Sequence, residues 1–186
     1  MIYGAKELAN AFRTVRKNTI QIAEDIPESK YTHVAAPEVR SVAQILAHIA
    51  VAPRVYVQLN RPGLTSMVGI DFLAMIEPIR SEESKHRTKA EVIELLRTEG
   101  DIFASWLENA SPEFLAETVT EPDGKTVKTR FERLLHPKEH EMHHRGQLML
   151  IERQLGIVPH LTRQFAERMA QMQAARAQQA PASATR

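Results

Sequence analysis

The chain has 186 residues, 43% of them hydrophobic and 25% charged, the proportions of a soluble globular domain able to bury a core. Its formal net charge of +1 offers no basic field for holding nucleic acid, and no signal-peptide core or long unbroken apolar run points to export or a membrane, so a cytoplasmic protein is expected. The absence of cysteine removes disulfides, thiolate ligands and a cysteine nucleophile together, so a metal would have to be held by His, Asp or Glu.

Residues 5–26 place Leu8, Phe12, Val15, Ile22 and Ile26 on one stripe, which predicts a helix of about six turns ended by Pro27. The segment from Glu28 to Arg40 has no sustained period and reads as a loop. Ser41 and Gln44 then form a capping box for a second helix through Ile45, Ile49, Ala52, Tyr56 and Leu59, with a kink expected at Pro53. Residues 60–69 are turn-rich, and "IDFLAMI" reads as one or two short turns capped by Asp71. Thr88 and Glu91 open a third helix carrying Val92, Leu95, Leu96, Ile102, Phe103 and Trp106. Its interior Gly100 costs about 1 kcal/mol relative to alanine, so packing must carry that turn. "TVTEPDGKTV" predicts a small hairpin, because Pro-Asp-Gly turns and β-branched residues flank it. Thr129 and Glu132 cap a fourth helix that runs to about Leu155, with Gly156 as its stop.

Four long amphipathic helices and one short hairpin make an all-α four-helix bundle the economical architecture. The two middle connections are too long for simple up-down-up-down order. Two parts are expected: a bundle over 1–158, and a C-terminal helix with a disordered tail over 159–186. Phe165, Met169 and Met172 share one face of that last helix. It packs on the bundle, packs against a second subunit, or stands in solvent.

"HPKEHEMHHRGQ", residues 136–147, holds four of the eight histidines. His140 and His144 lie four apart, so their imidazoles can converge on one ion. Leu148, Ile151 and Leu155 continue that face, which turns the pair into the core. His143 is rotated by about 100° per residue and belongs to another face. His136 is about 12 Å along the axis from His144, too far to share an ion. A third ligand is expected, and His48 is the candidate, because it shares a face with Ile45 and Ala52 and a core histidine needs a partner. His33, His86 and His160 fall in loops or helix margins, where solvation is the default.

"HEMHH" also matches H-E-x-x-H, the helical zinc pattern of many metalloproteases, with Glu141 at the position of the water-activating base. The extended forms of that pattern fail. Gln147 and Leu150 stand where further glycine and histidine would be needed, and no downstream acid lies on another bundle helix. Glu141 is left as the weak candidate for a catalytic residue.

Three stretches resemble the DinB family, also described as DinB/YfiT-like metalloenzymes. "SVAQILAHIAVAPRVY" resembles its second-helix motif, whose histidine falls on His48. "HEMHHRGQLMLIERQLG" resembles its closing-helix motif, with ligands falling on His140 and His144. "TRFERLLHPKEH" resembles the run into that helix. The likeness covers roughly residues 5–158 and departs at Pro53, Pro137 and the tail. It implies an up-down-down-up bundle, a three-histidine site for one divalent ion (nickel or zinc as usual occupants), often a homodimer, and reactions that use low-molecular-weight thiols.

Three functions remain open. The first is a metal-dependent enzyme that transfers a low-molecular-weight thiol to an electrophilic small molecule. The second is a metal-dependent hydrolase with Glu141 as base. The third is a non-catalytic bundle braced by its metal. In each, partners are limited to small molecules and a second copy, with no nucleic acid and no membrane. Arg145, about 100° around the helix from His144, reads as a hydrogen-bonding support rather than a catalyst, and Gln147 has no role that the sequence assigns.

Overall fold

All three capping boxes form and start the helices they announced. Gln44 N–H donates to Ser41 Oγ at 3.3 Å while Gln44 Oε1 accepts from Ser41 N at 2.9 Å, and the Thr88–Glu91 and Thr129–Glu132 pairs repeat the arrangement. The computed structural model describes residues 3–179. Its helices are α1 (Ala5–Asp25), α2 (Val42–Val51), α3 (Pro53–Leu59), α4 (Phe72–Ser84), α5 (Lys89–Glu108), α6 (Pro112–Ala116), α7 (Arg130–Gln154) and α8 (His160–Gln179). Strands β1 (Thr118–Thr120) and β2 (Val127–Thr129) pair antiparallel, with Val119 opposite Lys128. The second predicted helix is divided at Pro53 into α2 and α3. Their combined span, Val42–Leu59, is apolar enough to cross a membrane by composition, but 61% of it is buried inside the protein.

The protein is a four-helix bundle. α1 and the α2–α3 pair occupy opposite corners, and each packs on both α5 and α7. One apolar cluster gathers Ile22, Leu46, Ile49, Leu96 and Leu148. A second gathers Leu8, Phe12, Phe103, Leu107 and Leu134. Between the two clusters, α1, α5 and α7 place a polar layer built from Arg16 and Thr19, Gly100, and Glu141.

Arg16 holds this middle layer together. Its guanidinium donates to the Glu141 carboxylate (3.0–3.1 Å), to the Leu96 carbonyl (2.7 Å) and to the Ile49 carbonyl (3.0 Å). Ile49 is four residues before Pro53, whose nitrogen has no hydrogen to give, so that carbonyl would otherwise be orphaned in the core. Gly100 admits the arginine. A Cβ there would stand 2.8 Å from Arg16 Cγ and 3.0 Å from Nη1. The proline in the second helix and the glycine in the third are therefore two sides of one accommodation.

Several expectations change. α4 is a 13-residue helix, not one or two turns, although Asp71 does cap it by accepting from Ala74 N at 3.0 Å. Pro78 inside it hid its length, since it removes one backbone donor without ending the helix. The single-turn α6 had no prediction. α7 continues through the buried Pro137 without a break. Gly156, in the left-handed region at φ +77°, stops it as expected. α8 meets the body of the protein mainly at α1, and Phe165, Met169 and Met172 are exposed along it. The tail read as disordered, 180–186, lies outside the described residues.

Beneath the α7–α8 turn, Glu152 is fully buried with no partner for either carboxylate oxygen. Burial, with Asp25 nearby, pushes its carboxyl from an ordinary 4.5 up to about 7, against the opposing pull of Arg163 and Arg153. Between these two values the folded chain binds a proton that the unfolded chain has lost, so stability falls as pH rises through that window. Between pH 5 and pH 8, Glu152→Gln is expected to retain about 2 kcal/mol of unfolding free energy that the parent loses, on the scale of 1.36 kcal/mol per unit. Denaturant unfolding of both proteins at the two pH values measures this, and parallel profiles would refute it.

Candidate metal centre

α2 and α7 bring His48, His140 and His144 together, with one nitrogen from each within 4.8 Å of the others. The Nε2 atoms of His48 and His140 are 3.1 Å apart, and those of His140 and His144 are 3.3 Å apart. The outer nitrogens of two rings are fixed by other residues. His48 Nδ1–H donates to Glu83 Oε1 at 2.6 Å, and Arg40 Nε–H donates to the other oxygen of Glu83 at 2.7 Å. His144 Nδ1–H donates to Gln147 Oε1 at 2.8 Å, while the Gln147 amide reaches His143 Nε2 at 3.3 Å.

These outer bonds determine what the inner nitrogens can offer. A carboxylate and an amide oxygen only accept, so both Nδ1 atoms carry hydrogen and both Nε2 atoms present lone pairs. They converge on a third imidazole nitrogen that can contribute at most one proton. Such a convergence is relieved by a cation, and neutral imidazole with its far nitrogen hydrogen-bonded is the usual metal-ligand arrangement. The residues thus fit one divalent ion. Burial, reinforced by the neighbouring imidazoles, pushes His140 down to about 3. Burial also lowers His144, against the opposing effect of the hydrogen bond it donates to Gln147. Both rings are neutral at physiological pH. Burial alone would raise Glu83, but the hydrogen bonds from His48 and Arg40 outweigh it and hold the carboxyl below its ordinary value.

The other histidines separate as their positions dictate. His143 is exposed and touches the cluster only through Gln147 and the edge of His144. His136 is 61% exposed and outside the cluster. His86 is exposed and His33 half-buried. His160, expected in solvent, is buried instead, because the α7–α8 turn sets the first residue of α8 against α1, with Nε2 3.2 Å from Asn18 Oδ1.

Glu141 has a different job from the one its motif suggested. It is 2% exposed, and its carboxylate is held by Arg16 and by the Thr19 hydroxyl at 2.7 Å, in the bundle's middle layer. One residue on from His140, it faces the interior from another side of α7 and has no free oxygen for a base to use. The acid that does serve the site, Glu83, was missed. Phe72, Ile76, Ile79 and Glu83 are spaced by four, three and four, so a longer reading of that helix would have placed Glu83 on its inner face. Gln147, for which the sequence suggested no role, holds the outer nitrogen of His144. Arg145 is half-buried, which lowers its guanidinium below its ordinary value.

A cavity of about 660 Å³ opens beside the cluster, with His48 and His140 in its wall. Val55, Tyr56 and Leu59 of α3 and Ile76 and Ile79 of α4 line it. Burial pushes the Tyr56 phenol up to about 12, so it stays protonated.

The family model of the DinB superfamily matches residues 11–148. The chain belongs to the DinB superfamily. Among solved structures, this DinB chain is similar to YfiT from Bacillus subtilis, described as a probable metal-dependent hydrolase with an unusual four-helix bundle topology. The TM-score is 0.63 at 17% identity, covering 82% of this chain and 88% of YfiT. The DinB-like protein YjoA from Bacillus subtilis gives a TM-score of 0.60 at 21% identity, covering 81% and 92%. The mycothiol-dependent maleylpyruvate isomerase gives 0.59 at 14% identity, covering 76% of this chain and 60% of the isomerase. At these identities the likeness is one of fold. A search of curated protein sequences found no match.

Proposed function

We propose that this DinB protein holds one divalent ion, nickel or zinc, on His48, His140 and His144, and transfers a low-molecular-weight thiol to an electrophilic small molecule. The observation that carries the reading is the convergence of Nε2 lone pairs, with Glu83 and Gln147 fixing the tautomers of His48 and His144, at the wall of an open cavity. A divalent ion there supplies a Lewis acid that lowers the pKa of a thiol or water reaching it. The chain's own residues prepare the site. Glu83 and Gln147 orient two rings, burial keeps His140 and His144 uncharged, and the apolar wall of α3 and α4 limits competing water. The sequence has no cysteine, so the thiol arrives with a cosubstrate.

Hydrolysis is the second reading, and the description of YfiT favours it. Against it, Glu141 and Glu83 are both fully engaged, which leaves neither of these two carboxylates free to act as base. Titrating the cobalt-substituted protein with small thiols separates the readings. A saturable thiolate-to-metal absorption band that is lost in His144→Ala is the expected result. A spectrum insensitive to thiols, with turnover of a model ester, would give the site to hydrolysis. Thiol insensitivity without turnover would leave a metal-braced bundle.

The unpacked stripe of Phe165, Met169 and Met172 supports a homodimer through α8. The division into a bundle over 1–158 and an appended C-terminal part belongs to the same reading.

A further inference from the structure

We propose that the electrophile of the histidine site is a carbonyl compound, and that the hydroxyl of Tyr56 on α3 receives its oxygen. This deepens the proposed function and rests on it, since thiol and acceptor must meet in the cavity.

The cavity lining is ordered along two helical segments. On one side His48, Ala52 and Tyr56 follow at steps of four, and on the other His140 and His136 do the same. Ala52, between His48 and Tyr56, contributes only a methyl group. One turn out from the cluster, Tyr56 faces His136 with ring centroids 5.6 Å apart, and it also lies edge-on to His140 at 6.2 Å. The buried side chains of Val55, Leu59 and Ile79 line the same cavity and suit a carbon frame.

Tyr56 has a donor to spare. Its backbone carbonyl accepts from Asn60 Nδ2 at 2.8 Å, but its hydroxyl makes no hydrogen bond among the described residues and is not sealed from solvent. A phenol ordinarily ionises near pH 10, so at neutral pH it has a hydrogen to give. The other donors in the lining are placed differently. Arg40 is paired with Glu83, and Arg133 with Glu121. His136 is 61% exposed and faces Glu139 at 3.9 Å. Arg80 and Lys128 are exposed. Tyr56 is the half-buried, uncommitted donor whose ring meets a clustered histidine.

Such a donor answers one demand of adding a thiol to a carbonyl compound. As the sulfur–carbon bond forms, at the carbonyl carbon or at a carbon conjugated with it, a π pair moves onto the carbonyl oxygen. The thiol gives up one proton and the adduct takes up one, so the addition balances with no other reactant. A hydrogen bond from Tyr56 to that oxygen strengthens as charge gathers there. An alkyl halide, whose charge leaves with the halide, would make no use of it.

The test is titration of the full chain, after chelation of metal, with acetophenone and with α-methylstyrene, which has a methylene group in place of the carbonyl oxygen. Chelation leaves the protein alone to read the oxygen. Tyr56→Phe keeps the ring and deletes the hydroxyl. It is expected to weaken acetophenone binding about fivefold, the scale of one neutral hydrogen bond, and to leave α-methylstyrene unchanged. The carbonyl-carbon resonance of bound, isotopically labelled acetophenone should move upfield in the variant as the donor is lost. Equal weakening of both probes would reduce Tyr56 to part of the cavity's shape and overturn the proposal. So would an acetophenone affinity and resonance that the substitution leaves unchanged, or no binding of either probe. Titrating the cobalt-loaded parent and Tyr56→Phe chains with small thiols keeps the two readings apart, because the thiolate band does not need the hydroxyl. A band in both chains, with no discrimination between the probes, would sink this inference alone. Probe discrimination with no band in either chain would sink only the proposed function.

Discussion

Alanine at His48, His140 or His144 is expected to abolish stoichiometric binding of a divalent ion, while His143→Ala retains it. The three Nε2 atoms converge and the His143 ring does not join them. Removing any one leaves two imidazoles, too few to complete a catalytic-type site, which uses three protein ligands. The supporting residues should behave differently. Glu83→Gln and Gln147→Ala each keep all three rings but loosen the hydrogen bond that sets a tautomer, so affinity should fall roughly tenfold to a hundredfold with stoichiometry intact. Metal analysis of protein purified without a histidine tag, followed by calorimetric titration, measures both effects. Loss of the metal in His143→Ala alone would place the site on another face of α7.

The clustering of the three histidines was legible because helical phase is a local property. His140 and His144 step onto the same face as Leu148 and Ile151, and His48 steps onto that of Ile45 and Ala52, so each could be assigned to the core before any tertiary contact was known. The supports were harder to see. Glu83 lies 35 residues from His48, in the last turn of a helix that carries a proline, Pro78, in its interior. Arg16 left a trace that was not followed. It lies on the stripe Phe12, Arg16, Thr19, Ala23, and an arginine on a buried stripe requires an acid somewhere in the core. That acid is Glu141, the residue that the H-E-x-x-H pattern presents as a base. The pattern fixes which residues adjoin along one helix, but which neighbour each side chain meets depends on α1, which it does not contain. Glu152 left only a weak signal, since its helical position sits beside Leu148 and Ile151 but its composition marks it as surface.

Arg16→Met is expected to destabilise the fold by about 3–5 kcal/mol, the usual cost of breaking a buried charge pair from one side. The variant leaves the Glu141 carboxylate with only the Thr19 hydroxyl and returns the Ile49 carbonyl to its orphaned state beneath Pro53. The sharper test is at Gly100. Alanine in a helix interior is normally worth about 1 kcal/mol over glycine. Here its Cβ would fall 2.8 Å from Arg16 Cγ, which is near the root of a side chain anchored at its far end by α2, α5 and α7. The arginine cannot swing aside without breaking those bonds, so overpacking should win, with Gly100→Ala costing about 1–3 kcal/mol. In the Arg16→Met background the obstruction is flexible and unanchored, and the same substitution should change sign and stabilise by up to about 1 kcal/mol. A double-mutant cycle by chemical denaturation reads this reversal as the coupling energy between the two positions. Gly100→Ala stabilising the parent chain would show that Arg16 moves freely, and the clamp would then fail as an account of the middle layer. If the clamp holds, its consequence reaches the metal centre. Glu141 follows His140 on α7, and Ile49 follows His48 on α2, so Arg16 bonds both histidine-bearing helices within one residue of a clustered histidine. Arg16→Met should therefore weaken metal binding even though it touches none of the three histidines.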